Sequence, residues 1–295
     1  MNQNQAPSRV AVVIASAGRP GEIGKLLVAL SKQRRKPDRV VLAVTTAADM
    51  PDLQHSTLPV ETLICRRSLT AQRNAGVAAC ADCDFIVFFD DDFLPAADYL
   101  ARVEVVMQTD RSLLAVDGNV LFDGALGSGI TWDDAERIIA ENIEDDRTIL
   151  RDQPDGLYGC NMCCRSSALV AEPFDEELPL YAWLEDYDLS RRLKRRGSIG
   201  RVMAARGVHL GVKRGRISGL RMGYSQFANP IYLARKGTMP ASTLLSHLLI
   251  RPIGNILGLL RRDPYIDRLG RLRGNFLALI DSIRGRLSPS RILGL

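Results

Sequence analysis

The sequence predicts an α/β fold, a mainly parallel sheet flanked by helices, and three observations carry that expectation. Apolar, β-branched runs of strand length recur at residues 9–15, 39–44 and 60–65, with helical spacing between them. The runs are apolar throughout, as strands covered on both faces must be. A fourth run, Phe85-Ile86-Val87-Phe88-Phe89, stops at Asp90-Asp91-Asp92, and Pro95 then argues against continuation as a strand. Ligands of open α/β sheets sit where the strands end. Three adjacent carboxylates repel one another, and oxygen ligands at that place suit Mg²⁺ or Mn²⁺. A solvated acidic turn is the competing reading of the triplet.

Each element follows in order. The first strand, 9–15, ends in the small loop Ser16-Ala17-Gly18-Arg19-Pro20. Helical spacing of Leu26, Leu27 and Leu30 marks 24–33, stopped by Arg34-Arg35-Lys36-Pro37. Strand 39–44 leads into a loop over 45–59, and 60–65 is a short third strand. Ser68 is placed to cap a helix over 68–81 that returns the chain to the acidic strand. A helix over 96–108 and a strand over 113–122 follow, the latter containing Asp117-Gly118-Asn119. Residues 123–155 fit a surface helix or a loop equally. The stretch 158–169 reads as a strand entering a short helix, and Val208-His209-Leu210 has strand character.

Residues 185–196 form a charged helix, with Glu185, Asp186 and Asp188 in the first turn and five basic residues closing it. That gradient complements the helix dipole, so a well-capped helix explains it without any chemistry. Charge is also divided along the chain. Residues 1–190 hold 17 Lys and Arg against 31 Asp and Glu, a net of −14, whereas 191–295 hold 22 against 3, a net of +19. Such asymmetry points to an anionic partner for the C-terminal part. Its longest apolar stretch, 244–260, is broken by His247, Arg251 and Pro252 and makes a poor membrane span. Leu, Ile and Arg at helical spacing over 268–284 fit helices lying on an anionic bilayer, or basic helices packing their apolar side on the core.

A length of 295 residues suffices for one large α/β domain with an appendage, and 46% hydrophobic residues is an ordinary globular composition. Cys80/Cys83 and Cys160/Cys163 have zinc-ligand spacing. Their apolar surroundings, without a Gly-rich knuckle, favour buried free thiols. Residues 1–8 carry no apolar signal core, so a reducing cytoplasm is expected. His55 and His247 stand in uninformative contexts.

Taken together, an ordered series of motifs resembles family-2 glycosyltransferases of the GT-A fold. Residues 12–20 look like the opening strand and nucleotide loop of that family. Arg73-Asn74-Ala75-Gly76 followed by Asp90-Asp91-Asp92 is similar to its R-N-x-G segment and D-x-D metal motif. Gly159-Cys160-Asn161-Met162, Phe174-Asp175-Glu176 and the segment from Glu185 to Leu193 resemble its G-x-N-M, F-D-E and E-D-x-D-L-x-x-R-L series. The likeness covers about residues 9–212. It breaks after the second strand, where Thr45-Thr46 stand in place of the family's acidic loop and leave the nucleotide open.

The resemblance implies an inverting transfer from a UDP, dTDP or GDP sugar to a hydroxyl of a glycan or lipid-linked acceptor. It implies Mn²⁺ or Mg²⁺ on Asp90 and Asp92, with His209 either a third ligand or a satisfied core residue. Ala15, Ser16, Ala17, Arg19, Thr45, Arg73, Asp90 and Asp91 are the implied donor contacts. Asp186 is the implied general base, Glu185 orients the acceptor, and Trp183 and Asn161 lie on the acceptor side; a core aromatic is the other reading of Trp183. The division expected is a transferase domain over 1–217 and a basic helical extension over 218–295. The location expected is cytoplasmic, peripheral on the inner membrane face. Two alternatives remain: a metal-dependent nucleotidyltransferase, disfavoured by the lack of a Gly/Lys/Arg-rich phosphate loop, and a non-catalytic basic binding module. The few aromatics of the basic tail argue against nucleic acid.

Overall fold

The computed structural model describes residues 8–54, 56–142, 150–152, 156–215 and 217–295. His55, Arg216 and the 143–149 and 153–155 parts of the ambiguous segment lie outside the described residues.

Four parallel strands, β1 (Val10–Ser16), β2 (Arg39–Val44), β3 (Val60–Ile64) and β4 (Phe85–Asp90), form one half of the sheet. Along β1, Val10, Val12 and Ile14 enter one core while Ala11 and Val13 enter another, so each face needs its own cover. Helices α1 (Pro20–Ser31) and α3 (Tyr99–Thr109) supply Ile23, Leu26, Leu30, Leu100 and Val103 to the first face. On the second face lie Val77 of α2 (Leu69–Ala79), Leu169 of α5 (Ser166–Ala171) and Leu189 and Leu193 of α6 (Glu185–Leu193). Gly76 lets α2 approach the sheet: a Cβ there would stand 2.4 Å from Cγ1 of Val13.

The other half is more mixed than expected. β8 (Met162–Arg165) inserts antiparallel between β4 and β6 (Leu113–Asp123), and β6 pairs in parallel with β9 (Ser198–His209). β5 (Phe93–Pro95) and β7 (Leu150–Asp152) both run antiparallel to β9, giving the order β3-β2-β1-β4-β8-β6-β9-β5. Pro95 therefore does not end strand structure. The chain resumes as β5 after the Asp triplet, at a sheet edge where proline's missing N–H removes no ladder bond it needs. β9 is also far longer than the three residues its sequence suggested. Arg201, Arg206, Gly200 and Gly207 interrupt its apolar pattern, and Gly207 is required because a Cβ would meet Phe93 Cζ at 2.2 Å.

The two cysteine pairs pack on opposite faces: Cys80 and Cys83 in one core, Cys160 and Cys163 in the other. Burial pushes the Cys80 thiol up to about 12. These are hydrophobes within the cores, not a joint ligand set.

After α4 (Trp132–Glu141), which fills the ambiguous segment, and α6, the chain ends in α7 (Gly219–Lys236), α8 (Ala241–Leu260) and α9 (Arg268–Ile283). α7 joins the sheet region through Tyr232 and Lys236, both donating to Asp175, and through Lys236 to Asp188 at 2.8 Å. α8 is built inside out. Its one buried residue is Asn255, which donates to Gln226 at 2.9 Å and Asn275 at 3.1 Å. Meanwhile Leu249, Ile250, Ile253 and Leu260 are 53–74% exposed.

Candidate active site

The acidic triplet divides by function. Asp90 closes β4, and the next two carboxyls are carried into the turn before β5. Asp91 turns inward, accepting from Ser16 Oγ at 2.5 Å and from Arg19 Nη1 at 2.8 Å. Burial, only partly offset by Arg19, raises its pKa to about 6. Asp91 therefore ties the loop after β1 to the triplet.

Asp90, Asp92 and His209 each place one ligand atom within 4.8 Å of the others, the one such cluster among the described residues. Strand register produces this arrangement. His209 ends β9 opposite Phe93, the residue after Asp92, and beside Asp123 of β6. Its Nδ1 lies 2.9 Å from Asp123 Oδ1, and its Nε2 faces Asp92 Oδ1 at 3.5 Å. Tyr158 steadies the outer pair by donating to Asp123 at 2.9 Å. Burial disfavours the imidazolium, but its hydrogen bonds to the Asp123 and Asp92 carboxylates outweigh it and raise His209 to about 10. Asp92 also accepts the Val212 N–H at 2.7 Å. Two carboxylates plus an imidazole fixed through its other nitrogen are a donor set that suits a divalent transition ion or Mg²⁺.

Beside this cluster stand the two acids of α6. Arg73, 2% exposed, pairs with Glu185, reaches Asp90 Oδ1 at 3.3 Å and donates to the Gly159 carbonyl at 2.8 Å. Arg73, expected as a donor contact, thus has its guanidinium engaged by Glu185, Asp90 and the Gly159 carbonyl, which ties α6 to the end of β4. Asp186 accepts from Gly159 N at 2.9 Å and from Tyr187 N at 2.7 Å. Burial raises the pKa of Asp186, and raises that of Glu185 further, where Asp186 adds to the effect and Arg73 opposes it. Gly159 packs tightly under both acids: a Cβ there would stand 3.0 Å from Glu185 Oε1 and 3.2 Å from Asp186 Oδ2.

A cavity of about 450 Å³ opens over the cluster. Of the sequence-predicted residues, Ala15, Ser16, Ala17, Arg19, Asp90, Asp91, Asp92, Trp183 and His209 line it. Thr45, Arg73, Asn161, Glu185 and Asp186 are not among its lining residues. Thr45 donates its hydroxyl to Asp49 at 2.6 Å, and Asp49 also accepts from Gly18 N at 2.8 Å, so this pair shapes the loop after β1. Asn161, expected on the acceptor side, is fully buried and donates to the Gly118 carbonyl at 3.1 Å, while its Oδ1 has no hydrogen-bond partner among the described residues. Trp183 comes from a bent segment: Leu180, Ala182 and Leu184 have φ of 57°, 51° and 75°. Left-handed non-glycine residues cost about 1–3 kcal/mol each and gather at functional sites.

Sequence reasoning missed Asp123, Tyr158 and Asp49, which act through others, and the contribution of the C-terminal helices. Gln226, Arg251 and Arg271 line the same cavity from α7, α8 and α9. A carboxylate at the end of β6, like those ending β4, was the available signal for Asp123.

The chain has the GT-A fold, the architecture of nucleotide-sugar glycosyltransferases. Solved structures with that fold include a mannosyltransferase from Pyrobaculum calidifontis in complex with GDP-Man and Mn²⁺. It is 16% identical, with a TM-score of 0.56 over 98% of this chain and 86% of its own. GalNAc-T7 with UDP, GalNAc and Mn²⁺ is 13% identical, with a TM-score of 0.56 over 78% of this chain. S. aureus TarS is 14% identical, with a TM-score of 0.52 over 76%. This chain spans 52% of the GalNAc-T7 chain and 39% of the TarS chain. No family model matches the sequence, and no curated protein does.

Proposed function

We propose that this protein transfers a sugar from a nucleotide-diphosphate sugar to a hydroxyl acceptor, with inversion at the anomeric carbon. The observation that carries the reading is the Asp90–Asp92–His209 cluster at the end of β4, within a GT-A sheet. Mn²⁺ or Mg²⁺ held there would neutralise the charge that develops on the departing diphosphate. Ala15, Ser16, Ala17 and Arg19, which line the cavity beside the Asp triplet, take the donor; solved structures of the same fold hold UDP or GDP-Man. Asp186 takes the acceptor proton. Its raised pKa suits that role, because a base works best with a pKa drawn towards the working pH. Glu185, fixed by Arg73, sets the orientation of Asp186 through the Asp186 N–H it accepts at 2.6 Å.

The division of labour proposed places the transferase in residues 1–217 and membrane contact in 218–295. The exposed apolar side of α8 lies on an anionic bilayer at the cytoplasmic face, because residues 218–295 carry 12 basic residues against 3 acidic ones. Pelleting with phosphatidylglycerol vesicles but not with phosphatidylcholine vesicles is expected; self-association of the protein without vesicle binding would assign that side to a second copy instead.

The activity is tested by thermal stabilisation and hydrolysis with UDP, GDP and dTDP sugars, with and without Mn²⁺. Asp92→Ala should lower turnover by about 10²–10³-fold or more and abolish the Mn²⁺-dependent stabilisation. Asp186→Ala should lower turnover while leaving that stabilisation in place. Near-normal turnover of Asp186→Ala would remove it as the base.

A further inference from the structure

Three buried amides join the C-terminal helices, and their hydrogen bonds fix which way each one faces. Asn275 of α9 donates to the Gly223 carbonyl of α7 at 2.7 Å. A carbonyl can only accept, so that end of the Asn275 amide is its nitrogen and the other is its oxygen. That oxygen takes a bond from Asn255 Nδ2 of α8 at 3.1 Å, which sets Asn255 in turn. The Asn255 oxygen then faces Nη1 of Arg268, a group that can only donate, at 3.3 Å. Both ends of the chain of bonds demand the same orientations. Asn255 Nδ2 and Asn275 Nδ2 converge on one atom of Gln226, at 2.9 Å and 3.4 Å, and that atom has to be Oε1.

The consequence falls on the other end of Gln226. Its Nε2 has no partner among the described residues, although the side chain is 3% exposed and lines the cavity over the Asp triplet. Buried amide N–H groups are nearly always paired, so one left over at a cavity wall is a place for a ligand oxygen. Helical spacing brings it there: Gly219, Met222 and Gln226, three and four residues apart on α7, all line the cavity. The same two helices hold Trp183. Asn229, three residues after Gln226, donates to the Trp183 carbonyl at 2.8 Å, and Arg251, one turn before Asn255, lies over the Trp183 ring at 5.4 Å. An aromatic plane and a fixed donor thus border one cavity from a shared mount.

We propose that Gln226 is a specificity-determining residue of the acceptor site, its Nε2 donating to a carbonyl-type oxygen on a sugar seated beside Trp183. This rests on the transferase reading above. An amide free to flip would serve any hydroxyl, which both gives and takes a hydrogen bond. One held as a donor discriminates in favour of an oxygen that can only accept, the carbonyl of an acetamido group or a carboxylate. The helices after residue 218 accordingly read the substrate from inside the cavity, whatever their outer side touches.

The test uses the full chain carrying Trp132→Phe, which leaves Trp183 as the sole tryptophan of two. Its emission is titrated with the methyl glycosides of N-acetylglucosamine, glucuronic acid and glucose. The acetamido sugar or the uronate should bind about tenfold tighter than the plain glucoside, and which of the two does so separates the two sources of the oxygen. Gln226→Glu keeps an oxygen for Asn255 and Asn275 but turns a second oxygen, in place of the N–H, towards the ligand. It should erase the preference while the melting temperature holds. A purely structural Gln226 would do the reverse, moving the melting temperature and leaving the ratio of the sugars as it was. Equal binding of all three glycosides, no saturable response to any, or a preference that survives Gln226→Glu would overturn the assignment. If Gln226→Glu melts early, Gln226→Met is read by the same criterion, and if both do, the three sugars on the unaltered Gln226 decide alone. Stabilisation of the unaltered protein by UDP or GDP with Mn²⁺ is recorded alongside. Its absence would sink the transferase reading, whereas its presence without a preference among the sugars would sink only the role of Gln226.

Discussion

The central sheet and α8 solve the same problem in opposite senses. In β1 and β4 every apolar side chain but Ala15, which lines the cavity, is enclosed, and charge is held back to the strand ends. In α8 the enclosed side chain is an amide and the leucines and isoleucines face outward. Water drives the first arrangement, since burying apolar surface contributes about 25 cal/mol per Å². It disfavours the second, so α8 is held by polar contacts of Asn255 with Gln226 and Asn275 and by Leu244 against the cluster of Leu178 and Leu233, beside a close approach of α7 and α9 that glycines allow. A Cβ on Gly274 would lie 2.1 Å from the Leu220 carbonyl oxygen. Large exposed apolar patches mark a surface with a partner. With the proposed membrane contact, the contrast would be that of one chain folded for two solvents.

The sharpest way to break that contrast is to make the same deletion in both regions. Leu26→Ala, in the enclosed first core, should cost about 2–5 kcal/mol of unfolding free energy by denaturant titration. Ile253→Ala on α8 should stay within about 0.5 kcal/mol in aqueous buffer yet weaken vesicle pelleting. A large aqueous loss for Ile253→Ala would mean that its side chain is covered in solution. A smaller effect is expected from Asn255→Leu, which leaves Gln226 and Asn275 short of a partner and should cost about 1–3 kcal/mol. Hydrogen exchange should locate that loss in α7–α9, with the sheet amides unchanged.

The gentlest probe is pH, acting on the seam between the regions. Asp175 receives Tyr232 and Lys236 of α7. Burial opposes its ionisation, but those bonds prevail and hold its pKa below the usual 3.8. A carboxyl depressed on folding contributes stability that is present above its unfolded value and is lost as pH falls through the folded one. Faster exchange in α7 on acidification below pH 3.8 is therefore expected, and Asp175→Asn should remove that dependence.

The parallel half of the fold was legible because its strands are buried on both faces and so write themselves as unbroken apolar runs. β2 is found at residues 39–44, where the sequence placed it. β9 was not legible beyond its last residues, since its arginines are answered by partners distant in sequence: Arg201 meets Asp117 at 2.6 Å, a pairing no local pattern announces. The cation-type cluster was foreseen in its members, Asp90, Asp92 and His209, but not in its cause, the β5–β9 register that brings His209 beside Asp92. Arg73 and Asn161 show the converse. Their motif positions were readable, yet motif position does not reveal which way a side chain turns, and both turn inward. The inside-out character of α8 was hidden for a related reason: a Leu-rich helix reads alike whether its leucines are covered or bare.

The bend at Leu180, Ala182 and Leu184 bears on how Trp183 works. Glycine would relieve each of these left-handed positions, so Ala182→Gly is expected to cost less than an enclosed alanine normally would. The same change would slacken the strip of chain from which the indole hangs. Keeping bulky residues there trades ease of folding for a rigid bracket, and a bracket that cannot sag keeps a flat ring square to whatever slides in beneath α8.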